Sequence, residues 1–91
     1  MKYSHEQLLA MRGGILIQLN AADPRPLPAP AIRSNLSLVS GFRGIDETTV
    51  DEQLRYLERK GRIERERNDD AIRAYFITDE GRVWLDEHEL L

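Results

Sequence analysis

The sequence predicts a small α+β domain: three helices, a two-stranded hairpin and a short last helix. Three observations carry this. Apolar residues recur at helical spacing in three stretches, led by Leu8-Met11-Ile15, Ile32-Leu36-Val39 and Val50-Leu54-Leu57. Gly61 stops the third stretch and is followed by two runs of strand character, 62–67 and 72–78, around a polar tip at Asn68, Asp69 and Asp70. Two strands alone are marginal in water, so the hairpin must pack on the helices.

Each element has its own signals. Ser4 with Gln7 forms a capping-box pattern that opens helix one, and Leu8, Met11, Ile15, Leu16 and Leu19 mark its buried face. Gly13 and Gly14 lie mid-helix, where each costs about 1 kcal/mol relative to Ala. The pair reads as a place where another helix comes close, with a kink as the alternative. It is not a phosphate loop, because no strand precedes it and no G-K-[ST] follows.

The segment 23–30, DPRPLPAP, holds all four prolines. It is predicted to be a stiff connector between helices one and two, with Pro30 in the first turn of helix two. A polyproline groove ligand is the other use of such a segment. Ile32, Leu36 and Val39 form the inner face of helix two; Ser34, Asn35 and Ser37 form its polar side. The turn 40–45, SGFRGI, is longer than a standard helix-turn-helix turn, and its Phe42 is expected in the core.

Asp46, Thr48 and Thr49 are candidate N-caps for helix three, and Thr49 with Glu52 fits a second capping box. Gly61 is its expected left-handed C-cap. Thr78 or Asp79 caps the final helix, anchored by Val83, Trp84 and Leu85. Leu90 and Leu91 either continue that helix or fray. The order α-α-α-β-β-α, with room for a minor strand near Phe42, is that of a winged helix-turn-helix. All of residues 1–91 are assigned to one such domain.

Composition narrows the function. At 91 residues, 41% of them apolar, there is enough for one modest core. The absence of cysteine excludes disulfides and thiolate metal sites, and His5 and His88 are too far apart in sequence to suggest zinc. Neither a membrane span nor a signal peptide is visible, so a cytoplasmic protein is expected. The net charge of −3 is uneven. Residues 1–45 carry five basic and two acidic groups, whereas the remainder carries eight basic and fourteen acidic ones. A helix-turn-helix can bind DNA with a negative total if its cations share one face.

Two stretches carry a family resemblance. Residues 50–66, VDEQLRYLERKGRIERE, resemble the recognition helix and first wing strand of MarR/PadR-type transcriptional regulators. Residues 75–82, YFITDEGR, look like their second wing strand and the helix start that follows. The resemblance covers about the last 45 residues. It implies double-stranded DNA binding, with Thr48, Thr49, Glu52, Arg55, Tyr56 and Arg59 in the major groove and the wing residues Arg65, Arg67 and Arg73 on phosphates.

For each of these residues a plainer role competes. Arg55 and Arg59 suit guanine edges, but also a solvated face with Asp51–Arg55 and Glu52–Arg55 pairs. The wing arginines alternate with glutamates and could be cross-strand salt bridges. Tyr75, Phe76 and Trp84 read as packing rather than stacking platforms. Glu47, Asp51 and Glu52 make the first half of helix three acidic, which the helix dipole favours. The same acidity supports a second reading, a winged-helix module that binds a protein partner and no DNA.

No nucleophile–histidine pair, nucleotide motif or metal spacing is present, so neither an enzyme nor a cofactor is expected. The resulting expectation is a small regulator, of prophage or accessory type, acting as a homodimer.

Overall fold

The computed structural model describes residues 3–39, 41–68 and 71–91. Met1, Lys2, Ser40 of the predicted turn, and Asp69 and Asp70 of the predicted hairpin tip lie outside the described residues. The elements in chain order are α1 (His5–Ala22), β1 (Leu27–Pro28), α2 (Ala29–Ser37), α3 (Glu47–Arg59), β2 (Ile63–Arg65), β3 (Ala74–Ile77) and α4 (Asp79–Glu87).

Helix α1 is the element the others are laid on, touching α2, α3, α4 and β3. Its capping box is complete. The Gln7 amide donates to the Ser4 hydroxyl at 3.1 Å, and the Ser4 amide donates to the Gln7 side chain at 2.8 Å. Met11, Ile15, Leu16 and Leu19 are buried. The glycine pair does admit neighbours. A Cβ on Gly13 would stand 3.0 Å from Leu90 and 3.6 Å from the Trp84 ring, and one on Gly14 3.1 Å from Leu36.

The proline segment does more than space two helices. Leu27 and Pro28 form β1, which pairs antiparallel with β3 in the register Leu27–Tyr75 and Pro28–Ala74. The sheet order is therefore β1-β3-β2, with β2 on the other side in the register Ile63–Ile77 and Arg65–Tyr75. This corrects the expected position of the minor strand: it lies at 27–28, not near Phe42. An isolated two-residue strand has no periodicity to read, and Pro28 argues against strand by composition. Pairing is allowed because the strand lies at a sheet edge.

Helix α2 has Pro30 in its first turn and buries Ile32 and Leu36. Val39 lies beyond the helix end and is 48% exposed, so it does not belong to the inner face as predicted. The helix stops at Ser37, and the chain crosses to α3 through turns closed by Phe42 N–H to Val39 O and Ile45 N–H to Phe42 O. Those turns drive Phe42 and Ile45 into the core.

Asp46 is the N-cap of α3. Thr49 instead donates its hydroxyl to the Asp46 carboxylate, which replaces the expected Thr49–Glu52 capping box. At the other end Gly61 takes φ 73°. The Gly61 amide donates to Glu58 O and the Arg62 amide to Leu57 O, a Schellman motif.

Helix α4 returns against that same corner. Thr78 caps it by accepting from the Gly81 amide at 3.1 Å, and its hydroxyl donates to Gly61 O at 2.6 Å. Its anchors are Gly81, Trp84 and Leu85; Val83, predicted as a third apolar anchor, is 51% exposed. After Glu87 the chain neither continues as helix nor frays. The Leu90 amide donates to Leu85 O and the Leu90 side chain covers Gly13.

Candidate nucleic-acid interface

Helix α3 buries Val50, Gln53, Leu54 and Leu57. A rotation of about 100° per residue then places Thr48, Glu52, Arg55 and Arg59 on the opposite side, and all four are exposed. The flanks differ in charge. Toward β3 and α2 lie Glu47 and Asp51, which line a cavity of about 230 Å³ with Arg33 and Arg73. Toward α1 lies a crease of about 330 Å³ lined by Arg12, Glu52, Arg55, Tyr56 and Arg59, among others. The helix is thus neither uniformly acidic nor uniformly basic. It is acidic at its start and along its wing flank, and basic over its second half.

The predicted groove residues fall into two groups. Arg55 and Arg59 project freely, with no carboxylate at ion-pair distance among the described residues; neither Asp51 nor Glu52 pairs with Arg55. Thr49 is half-buried and engaged with Asp46. Tyr56 is half-buried against Arg12, whose guanidinium carbon stands 3.7 Å from the ring centroid. The same guanidinium donates through Nε to Gln53 Oε1 at 2.7 Å, joining α1 to α3. Arg62 hydrogen-bonds the Tyr56 phenol, which holds its pKa below the ordinary tyrosine value. The charges of Arg12, Lys60 and Arg62 act the same way, and desolvation opposes them.

On the wing, Arg65 reaches back to α3 as well as toward Tyr75 across the hairpin. It pairs with Glu58 of α3 at 3.1 Å, and that hydrogen bond and charge raise its pKa further. Arg67 and Arg73 are exposed. Tyr75 is fully buried and Trp84 nearly so, which makes both core residues. Trp84 is also stacked on His88, with ring centroids 3.8 Å apart. Among the described residues there is no group of side chains able to hold a metal ion, and no helix long and apolar enough to cross a membrane.

Sequence reasoning missed Arg12, Gln53, Lys60 and Arg62. Lys60 could have been found four residues beyond Tyr56 on one helical flank. Arg12 could not, because its partners lie on α3, far along the chain.

No protein-family model matches the sequence, and no curated protein does. Solved structures do. A Thermoplasma acidophilum protein assigned as a transcriptional regulator superposes with a TM-score of 0.78 at 19% identity, over 96% of this chain and 82% of that one. A PadR family transcriptional regulator from Eggerthella lenta gives a TM-score of 0.63 at 25% identity, over 92% and 77% of the two chains. The chain has the winged-helix fold of PadR-like regulators.

A chain of HOP2, from a study of its DNA recognition and protein interaction domains, is also similar. Its TM-score is 0.59 at 25% identity, over 75% of this chain and 98% of that one. In this winged helix α3 precedes the hairpin of β2 and β3, the wing, and β1 completes the sheet. Its structural neighbours include transcriptional regulators.

Proposed function

We propose that the protein is a small transcriptional regulator that binds duplex DNA as a homodimer, with α3 in the major groove and the wing on a phosphate backbone. One observation carries this reading. Arg55 and Arg59, a turn apart on the outer face of α3, are exposed and have no carboxylate partner among the described residues. A guanidinium presented in this way can meet guanine O6 and N7 together, a contact worth about 1–3 kcal/mol of discrimination. Thr48, Thr49 and Glu52 lie ahead of them on the helix, and Tyr56 offers the rim of its ring. Arg67 and Arg73 supply the wing's phosphate contacts, while Arg65 would have to share its charge with Glu58.

Selection from a random duplex library tests this reading. The wild type should enrich one motif, palindromic if two copies bind, and Arg55→Ala/Arg59→Ala should bind without that preference. Enrichment of the same motif by the double variant would remove both arginines from base reading. A second reading is favoured by Glu47 and Asp51, the acidic flank of α3: a surface for a basic protein partner. Failure of the wild type to bind any duplex at low salt would move the assignment there.

A further inference from the structure

We infer that the protein carries a second phosphate-binding edge on the flank of α3 opposite the wing, built from Arg12, Lys60 and Arg62 around Tyr56. The inference rests on the DNA-binding reading and adds a contact surface to it.

The chain has sixteen carboxylates for thirteen lysines and arginines, so cations could easily have been paired. The ion pairs among the described residues lie elsewhere: Glu58 holds Arg65, while Asp23 and Asp79 hold Arg82. No carboxylate comes within ion-pair distance of Arg12, Lys60 or Arg62 among the described residues. What they share instead is one aromatic ring. Arg12 lies 3.7 Å and Lys60 5.6 Å from the Tyr56 centroid; Arg62 acts on the Tyr56 phenol, and its guanidinium carbon stands 5.8 Å from the Trp84 ring.

Arg12 and Lys60 stand over one ring, so at low salt, where the Debye length is about 30 Å at 0.01 M, their repulsion is not screened away. An aromatic face and a phenol oxygen offset it only in part. Successive phosphodiesters of a DNA strand, each with one negative charge, would offset it further. Arg12 is already oriented to receive one. Its Nε–H is held by Gln53 and its guanidinium lies over the Tyr56 ring, while its terminal amino groups make no hydrogen bond or ion pair among the described residues. The crease beside it has Glu52 as the one carboxylate among its lining residues. With the wing on one flank of α3 and this edge on the other, a groove-bound helix would be held from both sides.

The experiment compares the salt dependence of duplex binding for three proteins: wild type, Lys60→Gln/Arg62→Gln and Arg67→Gln/Arg73→Gln. Each phosphate contact contributes roughly 0.9 to the slope of log affinity against log salt, so losing the edge pair should flatten the slope by roughly 2. Thermal melting reports whether each variant is folded. If the edge pair melts early, Lys60→Gln alone, on an exposed side chain, decides with a loss of roughly 1. An edge variant with the wild-type slope overturns the inference and leaves the DNA reading standing. Absence of salt-dependent binding by the wild type overturns both, an outcome distinct from the first.

Discussion

Gly81 shows how little room a single residue can leave. A Cβ at this position would stand 2.3 Å from the carbonyl oxygen of Arg62 and 2.7 Å from Ile77 Cγ1. By helix propensity alone, alanine should be better by about 1 kcal/mol. The collision is with backbone, which cannot rotate away. Gly81→Ala is therefore expected to destabilise by about 1–3 kcal/mol, read as a lower urea midpoint at unchanged m-value; a raised midpoint would mean that the corner relaxes freely.

Tyr56 gives a second prediction at this scale. Its folded pKa lies below the unfolded value of about 10, so the phenolate form is favoured by folding. The resulting stability is fully present above about pH 10 and is lost as pH falls through the folded pKa. Relative to Tyr56→Phe, the wild type should gain melting temperature on going from neutral to alkaline pH. A difference that stays flat would mean that Arg62 and its neighbours do not act on the phenol.

At the scale of elements, signals that are chemically local are legible in the sequence and those that depend on packing are not. The Ser4–Gln7 box and the Gly61 stop each involve neighbours in the chain, and both are present in the fold. Thr49 departs from its capping-box pattern because α3 already begins at Glu47, which leaves Thr49 inside the helix with its hydroxyl donated to the N-cap Asp46. Val39 and Val83 have core-like side chains but sit where the helix ends or turns outward.

The end of α4 is ambiguous in the sequence for a clear reason: its stop uses Glu89 at φ 56°, a left-handed position where glycine is the usual signal. The left-handed region penalises a Cβ, so Glu89→Gly is expected to raise stability by roughly 0.5–1 kcal/mol, less than the full penalty because glycine frees the unfolded chain. A midpoint below wild type would show that the Glu89 side chain has a role of its own.

For the whole molecule, the interface is legible in the sequence only as far as one helix can be projected onto a wheel. The spacing of Val50, Leu54 and Leu57 places Arg55 and Arg59 outward, and they are outward. That spacing could not show that the cations of α3 gather toward α1 while its acids, Glu52 excepted, gather toward the wing. Deciding this required Arg12 to come from a helix whose contact with α3 is tertiary. Nor could it show that Arg65 pairs with Glu58 of α3.

The strand made by the prolines carries a further consequence. The Ala29 amide donates to Arg73 O, so along β1 the backbone of Leu27 and Ala29 faces β3 while that of Pro26 and Pro28 faces out. The outward positions therefore have no N–H to offer. On the other edge β2 is short and charged at Glu64 and Arg65. A sheet bounded in this way gives a neighbouring copy little to add a strand to, which guards against edge-to-edge aggregation.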